Sequence, residues 1–129
     1  MAIEKKGIKT DKAAPPIGPY SQGVRWDRLI FTASVPTINP ALGAPPEGDV
    51  QAATRGALEN IKAILEEGGS GLDHVLKVTC YLRDFGDFAA MNEVYSQYFR
   101  AEPRPARALL LLPGARGPVT FDAVAYVPE

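Results

Sequence analysis

The sequence predicts an α+β protein in which two helices pack on one face of a mixed sheet. Three observations point there. Segments 49–69 and 87–101 repeat apolar residues at steps of three and four, the period of an amphipathic helix. Segments 28–35, 74–82, 107–112 and 119–127 are short, apolar and rich in β-branched residues, as strands are. The resulting order is strands, helix, strand, helix, two strands.

"RLIFTASV" reads as an early strand. In "DVQAATRGALENIKAILEEGG", Asp49 is a suitable N-cap, able to accept from free backbone N–H groups. Val50, Ala53, Ala57, Ile61 and Ile64 form one apolar face, flanked by Leu58 and Leu65. Gly68 and Gly69 stop the helix, because glycine tolerates the left-handed cap. In "HVLKVTCYL", Leu76, Val78, Cys80 and Leu82 alternate with Val75, Lys77, Thr79 and Tyr81, which argues a strand. "DFAAMNEVYSQYFRA" is the second helix, with Asp87 as cap and Phe88, Met91, Tyr95, Tyr98 and Phe99 along one side. "RALLLL" and "VTFDAVAYV" read as a final antiparallel pair across the turn "PGARGP". A hairpin symmetric about that turn would set Arg107 opposite Val124 and Leu109 opposite Asp122. Arg107 and Asp122 would then be diagonal neighbours on one face, about 7–8 Å apart.

Two helices cover one face of such a sheet. The last strands are nevertheless apolar on both faces, and unalternating strands are normally covered on both sides. An exposed apolar face is an aggregation liability. The second face is therefore expected to be buried by oligomerisation.

At 129 residues, one domain over 1–129 is expected. The net charge is −1 and no basic block appears, which argues against nucleic acid and anionic membrane as partners. No apolar run is long enough to span a bilayer, and "MAIEKKGIKT" lacks the apolar core of a signal peptide. A lone cysteine, Cys80, suits a reducing compartment, so a cytoplasmic location is expected. One histidine and one cysteine do not make a zinc site. "GGSG" lacks the Lys-Ser/Thr of a phosphate loop, and no G-x-S-x-G nucleophile motif is present.

Arg107 stands two residues before the run Leu109–Leu112. An arginine next to a core strand needs an anion. The residues leave two sources open: a structural ion pair with Asp122 or Glu102, or a ligand.

"IGPYSQGV" (17–24), "ENIKAILEEGG" (59–69), "FGDFAAMNEVYSQYF" (85–99) and "PARA" (105–108) together resemble the RidA (YjgF) family over nearly the whole chain. The resemblance implies a chorismate-mutase-like fold and a homotrimer, with the sheet's second face in the trimer core and clefts between subunits. It also implies hydrolytic deamination of reactive 2-imino/2-enamino acids to 2-oxo acids and ammonia, without cofactor or metal. The arginine of "PAR", here Arg107, would bind the substrate carboxylate, and a guanidinium fork suits that role. Tyr20 and Asn92 match the family's cleft-lining tyrosine and asparagine. Asp122 falls where the family has a water-handling glutamate.

The chain departs from the family pattern in three places. Ala33-Ser34-Val35 replaces the usual "SGQ", with Ser34 able to supply the hydroxyl from one position later. Leu109 replaces a frequent cysteine. Asp122 is one methylene shorter than glutamate. Two other functions remain. One is a non-catalytic small-acid binder or chaperone-like homologue, which the departures favour. The other is a ribonuclease or translation inhibitor, which the lack of a basic stripe and of clustered histidines argues against.

Overall fold

The computed structural model describes residues 3–35 and 37–129. Its strands are β1 (Lys6–Ile8), β2 (Gly23–Trp26), β3 (Leu29–Thr32), β4 (Val75–Leu82), β5 (Ala106–Leu111) and β6 (Val119–Tyr126). Its helices are α1 (Val50–Glu67) and α2 (Phe88–Tyr98). They form one six-stranded mixed sheet in the order β1-β2-β3-β6-β4-β5, with both helices packed on one face.

Helix α1 begins and ends as its sequence predicts. The Asp49 carboxylate accepts from the Ala52 N–H at 2.9 Å. Gly69, at φ +93°, turns the chain away while the Ser70 N–H reaches back to the Leu65 carbonyl. The apolar stripe Ala53, Ala57, Leu58, Ile61, Ile64 and Leu65 is fully buried. Gly56 faces the backbone of the loop after β3, where an added methyl would overlap the Thr37 carbonyl oxygen. Backbone cannot yield as a side chain can. Gly56→Ala should therefore destabilise the fold by about 1–3 kcal/mol in thermal or urea unfolding, despite alanine's better helix propensity. An unchanged or raised midpoint would show that the loop moves freely.

Two elements start differently from expectation. Asp87 makes no side-chain capping bond at α2; Asp84 caps the preceding turn instead, accepting from the Gly86 N–H at 2.8 Å. In β4 the strict alternation fails at its start. A bulge between Val75 and Lys77 turns Val75 inward and leaves Leu76 exposed, after which Val78, Cys80 and Leu82 face the core as expected.

The main correction concerns the end of the chain. β5 and β6 are not a hairpin. β5 is an edge strand parallel to β4, with Arg107 beside Val78 and Leu109 beside Cys80. β6 lies on the other side of β4, antiparallel to it, with Asp122 beside Thr79 and Phe121 beside Cys80. β4, α2 and β5 thus form a β-α-β crossover, in which a helix links parallel neighbours. The chain then hops over the end of β4 to reach β6. Arg83, the first residue after β4, holds that hop: its N–H donates to the Pro118 carbonyl and its guanidinium to the Ala115 and Arg116 carbonyls.

The long N-terminal segment is tied down by buried amides. The Gln22 side chain accepts from the Thr10 N–H and donates to the Thr10 and Ala14 carbonyls. Asn60 of α1 accepts from the Ala14 N–H and donates to the Ile38 carbonyl. Of the proline-rich turns, Pro36 in "VPTINP" lies outside the described residues.

The face of the sheet away from the helices carries Val24, Trp26, Phe31, Val124 and Leu110. Trp26, Phe31 and Leu110 are each 45–47% exposed, which is high for large apolar side chains on a sheet face. Among the described residues, no helix is long and apolar enough to cross a membrane.

Candidate functional site

Arg107 points to the helix side, since it pairs with the core residue Val78. Phe88, Asn92 and Tyr95 follow one another at steps of four and three along α2, so they share one helix face. That face meets the guanidinium. Arg107 Nη1 donates to Asn92 Oδ1 at 2.7 Å. The guanidinium carbon lies 4.7 Å from the Tyr95 ring centre and 5.6 Å from that of Phe88. Leu109, two residues on, shares this side of β5.

The structural ion pair anticipated for Arg107 is absent among the described residues. Glu102 pairs instead with Arg104 at 3.0 Å. Asp122 lies on the opposite face of the sheet, because β4 separates β5 from β6 and Asp122 pairs with Thr79 rather than with Val78. The shared face expected for Arg107 and Asp122 depended on a hairpin that does not form. Arg107 therefore has one neutral side-chain acceptor and two aromatic rings, with its other N–H groups uncommitted to protein carboxylate.

Beneath it lies Cys80, fully buried, its thiol pushed up to about 12 by burial and only partly pulled back by Arg107. Burial likewise pushes the Tyr95 phenol up to about 12, against the opposing effect of Arg107. The Tyr95 hydroxyl is buried without a hydrogen-bond partner among the described residues, so ring contacts with Phe99 and Phe121 and the Arg107 guanidinium hold the ring. A neutral, enclosed thiol does not react. Iodoacetamide should leave Cys80 unmodified in the folded protein and label it stoichiometrically after denaturation; labelling in the native state would place the thiol elsewhere.

Asp122 anchors a second polar group on the open face. Tyr81, its diagonal neighbour on β4, donates from Oη to Asp122 Oδ2 at 2.7 Å. This bond, ahead of burial, raises the Tyr81 phenol to about 12 and keeps it a donor. Thr120, two residues before Asp122 on the same face, donates to the Val35 carbonyl at 2.9 Å. Its single proton is thereby committed, so Ser34 must be the donor in the 3.1 Å contact between the two hydroxyls. Ser34 then presents only lone pairs outward.

The remaining predicted residues stand apart. Ala33 packs against the core, and its N–H donates to the Gln22 carbonyl at 2.8 Å. Tyr20 is exposed on the loop before β2, where its Oη accepts from the Ile17 N–H at 3.2 Å. One chain thus carries two separate groups, Arg107–Asn92–Leu109 at the sheet's edge and Ser34–Thr120–Asp122–Tyr81 on its open face. Phe88, Tyr95, Thr120 and Tyr81 were not singled out as site residues from sequence. The α2 spacing alone could have signalled the two aromatics.

The chain resembles known proteins along most of its length. Residues 10–116 match the family model described as Endoribonuclease L-PSP. A RutC family protein of Pyrococcus abyssi is 47% identical over 96% of this chain and 98% of its own. TdcF of Escherichia coli, provisionally named a reactive intermediate deaminase, is 42% identical over 74% of this chain and 73% of its own. The crystal structure of TdcF with bound serine superposes with a TM-score of 0.87, at 34% identity, covering 95% of this chain and 99% of that one. The Rid family protein YyfA of Yersinia pestis superposes with a TM-score of 0.89, at 29% identity, covering 96% and 100%. With its six-stranded sheet, two helices and "PAR" arginine in place, the chain belongs to the RidA family, the group that the Endoribonuclease L-PSP model describes.

Proposed function

We propose that this protein hydrolyses reactive 2-imino acids and their 2-enamino tautomers to 2-oxo acids and ammonia, without a cofactor, in clefts between the subunits of a cytoplasmic homotrimer. Each subunit would be one domain over 1–129. Arg107 carries this reading: its guanidinium is fixed by Asn92 and two rings, yet no carboxylate among the described residues neutralises it. A small acid supplies the missing anion, and serine bound to TdcF is an acid of that size.

The two polar groups lie on opposite faces of one sheet, so a site containing both needs two chains. Burial of Trp26, Phe31 and Leu110 against neighbouring subunits would bring them together and cover the exposed apolar face. Three is the number that the family resemblance implies.

In such a cleft the substrate carboxylate docks on Arg107, with Leu109 against its side chain. Asp122 of the neighbouring subunit accepts a proton from water as the water oxygen bonds to C2. The C=N π bond breaks and the nitrogen is protonated, giving a carbinolamine. The hydroxyl proton then passes through Asp122 to the amine nitrogen, the C–N bond breaks with its electron pair going to nitrogen, C=O forms and ammonia departs. Ser34 lone pairs suit the N–H donors of that nitrogen. Ala33 and Tyr20 bound the pocket. Positioned acid–base groups supply about 10²–10⁴-fold, enough for an electrophile as reactive as an imine.

The test is ammonia release from imino acids made in situ by an amino acid oxidase. Release faster than the uncatalysed rate is expected. Tight binding of 2-oxo acids with no acceleration would instead establish the non-catalytic binder.

A further inference from the structure

Asp122 is shorter than the glutamate expected at its position, and a short acid reaches less far into a cleft. Its surroundings answer that difference. Tyr81 comes from the neighbouring strand β4, one residue beyond the core-facing Cys80, and so lies on the same open face as Asp122. Its hydroxyl donates to Asp122 Oδ2 at 2.7 Å, the short distance of a charge-assisted bond. No second hydrogen bond to the protein occupies the other carboxylate oxygen among the described residues. Thr120, directly across from Tyr81 and two residues before Asp122, is held by Val35 and by Ser34, so Ser34, Thr120, Asp122 and Tyr81 form one tied row of polar groups. The row is bordered by the apolar Phe31, Val124 and Leu110.

We propose that Tyr81 is a positioning residue: it fixes one oxygen of the Asp122 carboxylate, and so sets the direction in which the other oxygen meets the water that adds to the imine. Tyr81 itself touches neither substrate nor water. It removes the freedom of a side chain that would otherwise sample several rotamers, and a misplacement near 1 Å costs on the order of 10²-fold when a catalytic group must meet its target. The phenol remains a donor across the working range, since its proton is lost only near 12.

The inference rests on the imine-hydrolase reading. Its test is steady-state ammonia release by the full-length protein and by Tyr81→Phe, Asp122→Asn and the double variant. Tyr81→Phe keeps the ring and removes only the hydroxyl. We expect kcat to fall about tenfold with KM within twofold, because the carboxylate on Arg107 is untouched. The double variant should be no slower than Asp122→Asn alone, because Tyr81 acts only through Asp122. A Tyr81→Phe protein with parental kcat would overturn the positioning role and leave the hydrolase reading standing. So would a double variant slower than Asp122→Asn by the full Tyr81→Phe factor, which marks an independent structural effect. A parent protein without turnover would overturn both.

Discussion

Replacing Arg107 with alanine should lower kcat/KM for imino acid hydrolysis by at least about 10²-fold, because hydrogen bonds to a charged partner contribute about 1.5–3 kcal/mol each. Arg107→Lys keeps the charge but loses the fork, and should recover only a small part of that loss. The aromatic setting sharpens the contrast. A flat guanidinium lies against Tyr95 and Phe88 in a way that a compact ammonium does not. Both variants should retain the parent's mass in solution and far-ultraviolet circular dichroism, since the change breaks no ion pair among the described residues. Near-parental turnover by Arg107→Ala would mean that the carboxylate is held by another cation. Loss of assembly in both variants would restore a structural role for Arg107.

Asp122→Asn should lower kcat by tenfold or more, toward the 10²–10⁴-fold range of a lost acid–base group, with ligand affinity little changed. Asparagine can still accept from Tyr81 through its carbonyl oxygen, so geometry survives while basicity does not. Asp122→Glu is the more informative variant. It restores the longer acid of the family pattern but moves the carboxylate out by about 1.5 Å, one C–C bond. Because Tyr81 bonds the shorter acid at 2.7 Å, the glutamate should be slower than the parent. A faster Asp122→Glu would show that reach, not orientation, limits the native enzyme. Parental turnover by Asp122→Asn would remove its chemical role and favour a binding protein anchored on Arg107.

The legible and illegible parts of this fold separate along physical lines. Helix α1 was readable because its cap, stripe and stop coincide: Asp49, the row from Ala53 to Leu65, and Gly69 all act locally. β4 was readable because, past its bulge, Val78, Cys80 and Leu82 alternate with the less buried Lys77, Thr79 and Tyr81. β1 and β2 escaped notice because Lys6–Ile8 and Gly23–Trp26 are too short for a period to show. Asp27, at φ +56°, closes a two-residue turn to β3 without the glycine that usually marks one. The order of β5 and β6 was misread for a different reason. "PGARGP" fits either a hairpin or a hop over the intervening strand, and adjacency in sequence was taken for adjacency in space. The helix between β4 and β5 pointed to a parallel pair.

That misreading propagated directly to the site. For Arg107 the residues left a protein acid and a ligand open, and Asp122 was placed beside it on the wrong register. Alternation along β6 already placed Asp122 opposite the core residues Phe121 and Ala123. What no local pattern could supply was the strand between them. Once β4 separates the two, Tyr81 becomes the neighbour of Asp122, and Arg107 faces the helices alone.

The central claim is that Arg107 and Asp122 act in one site built from two chains. Mixing impaired Arg107→Ala and Asp122→Asn subunits, with unfolding and joint refolding to exchange them, tests it directly. A shared site can then take its arginine from one variant and its aspartate from the other. Random assembly should restore about a quarter of the parental sites, read as ammonia release from an in situ imino acid. If both residues served one site from the same chain, every site would lack one of them, and the mixture would show only the averaged residual activity of its components.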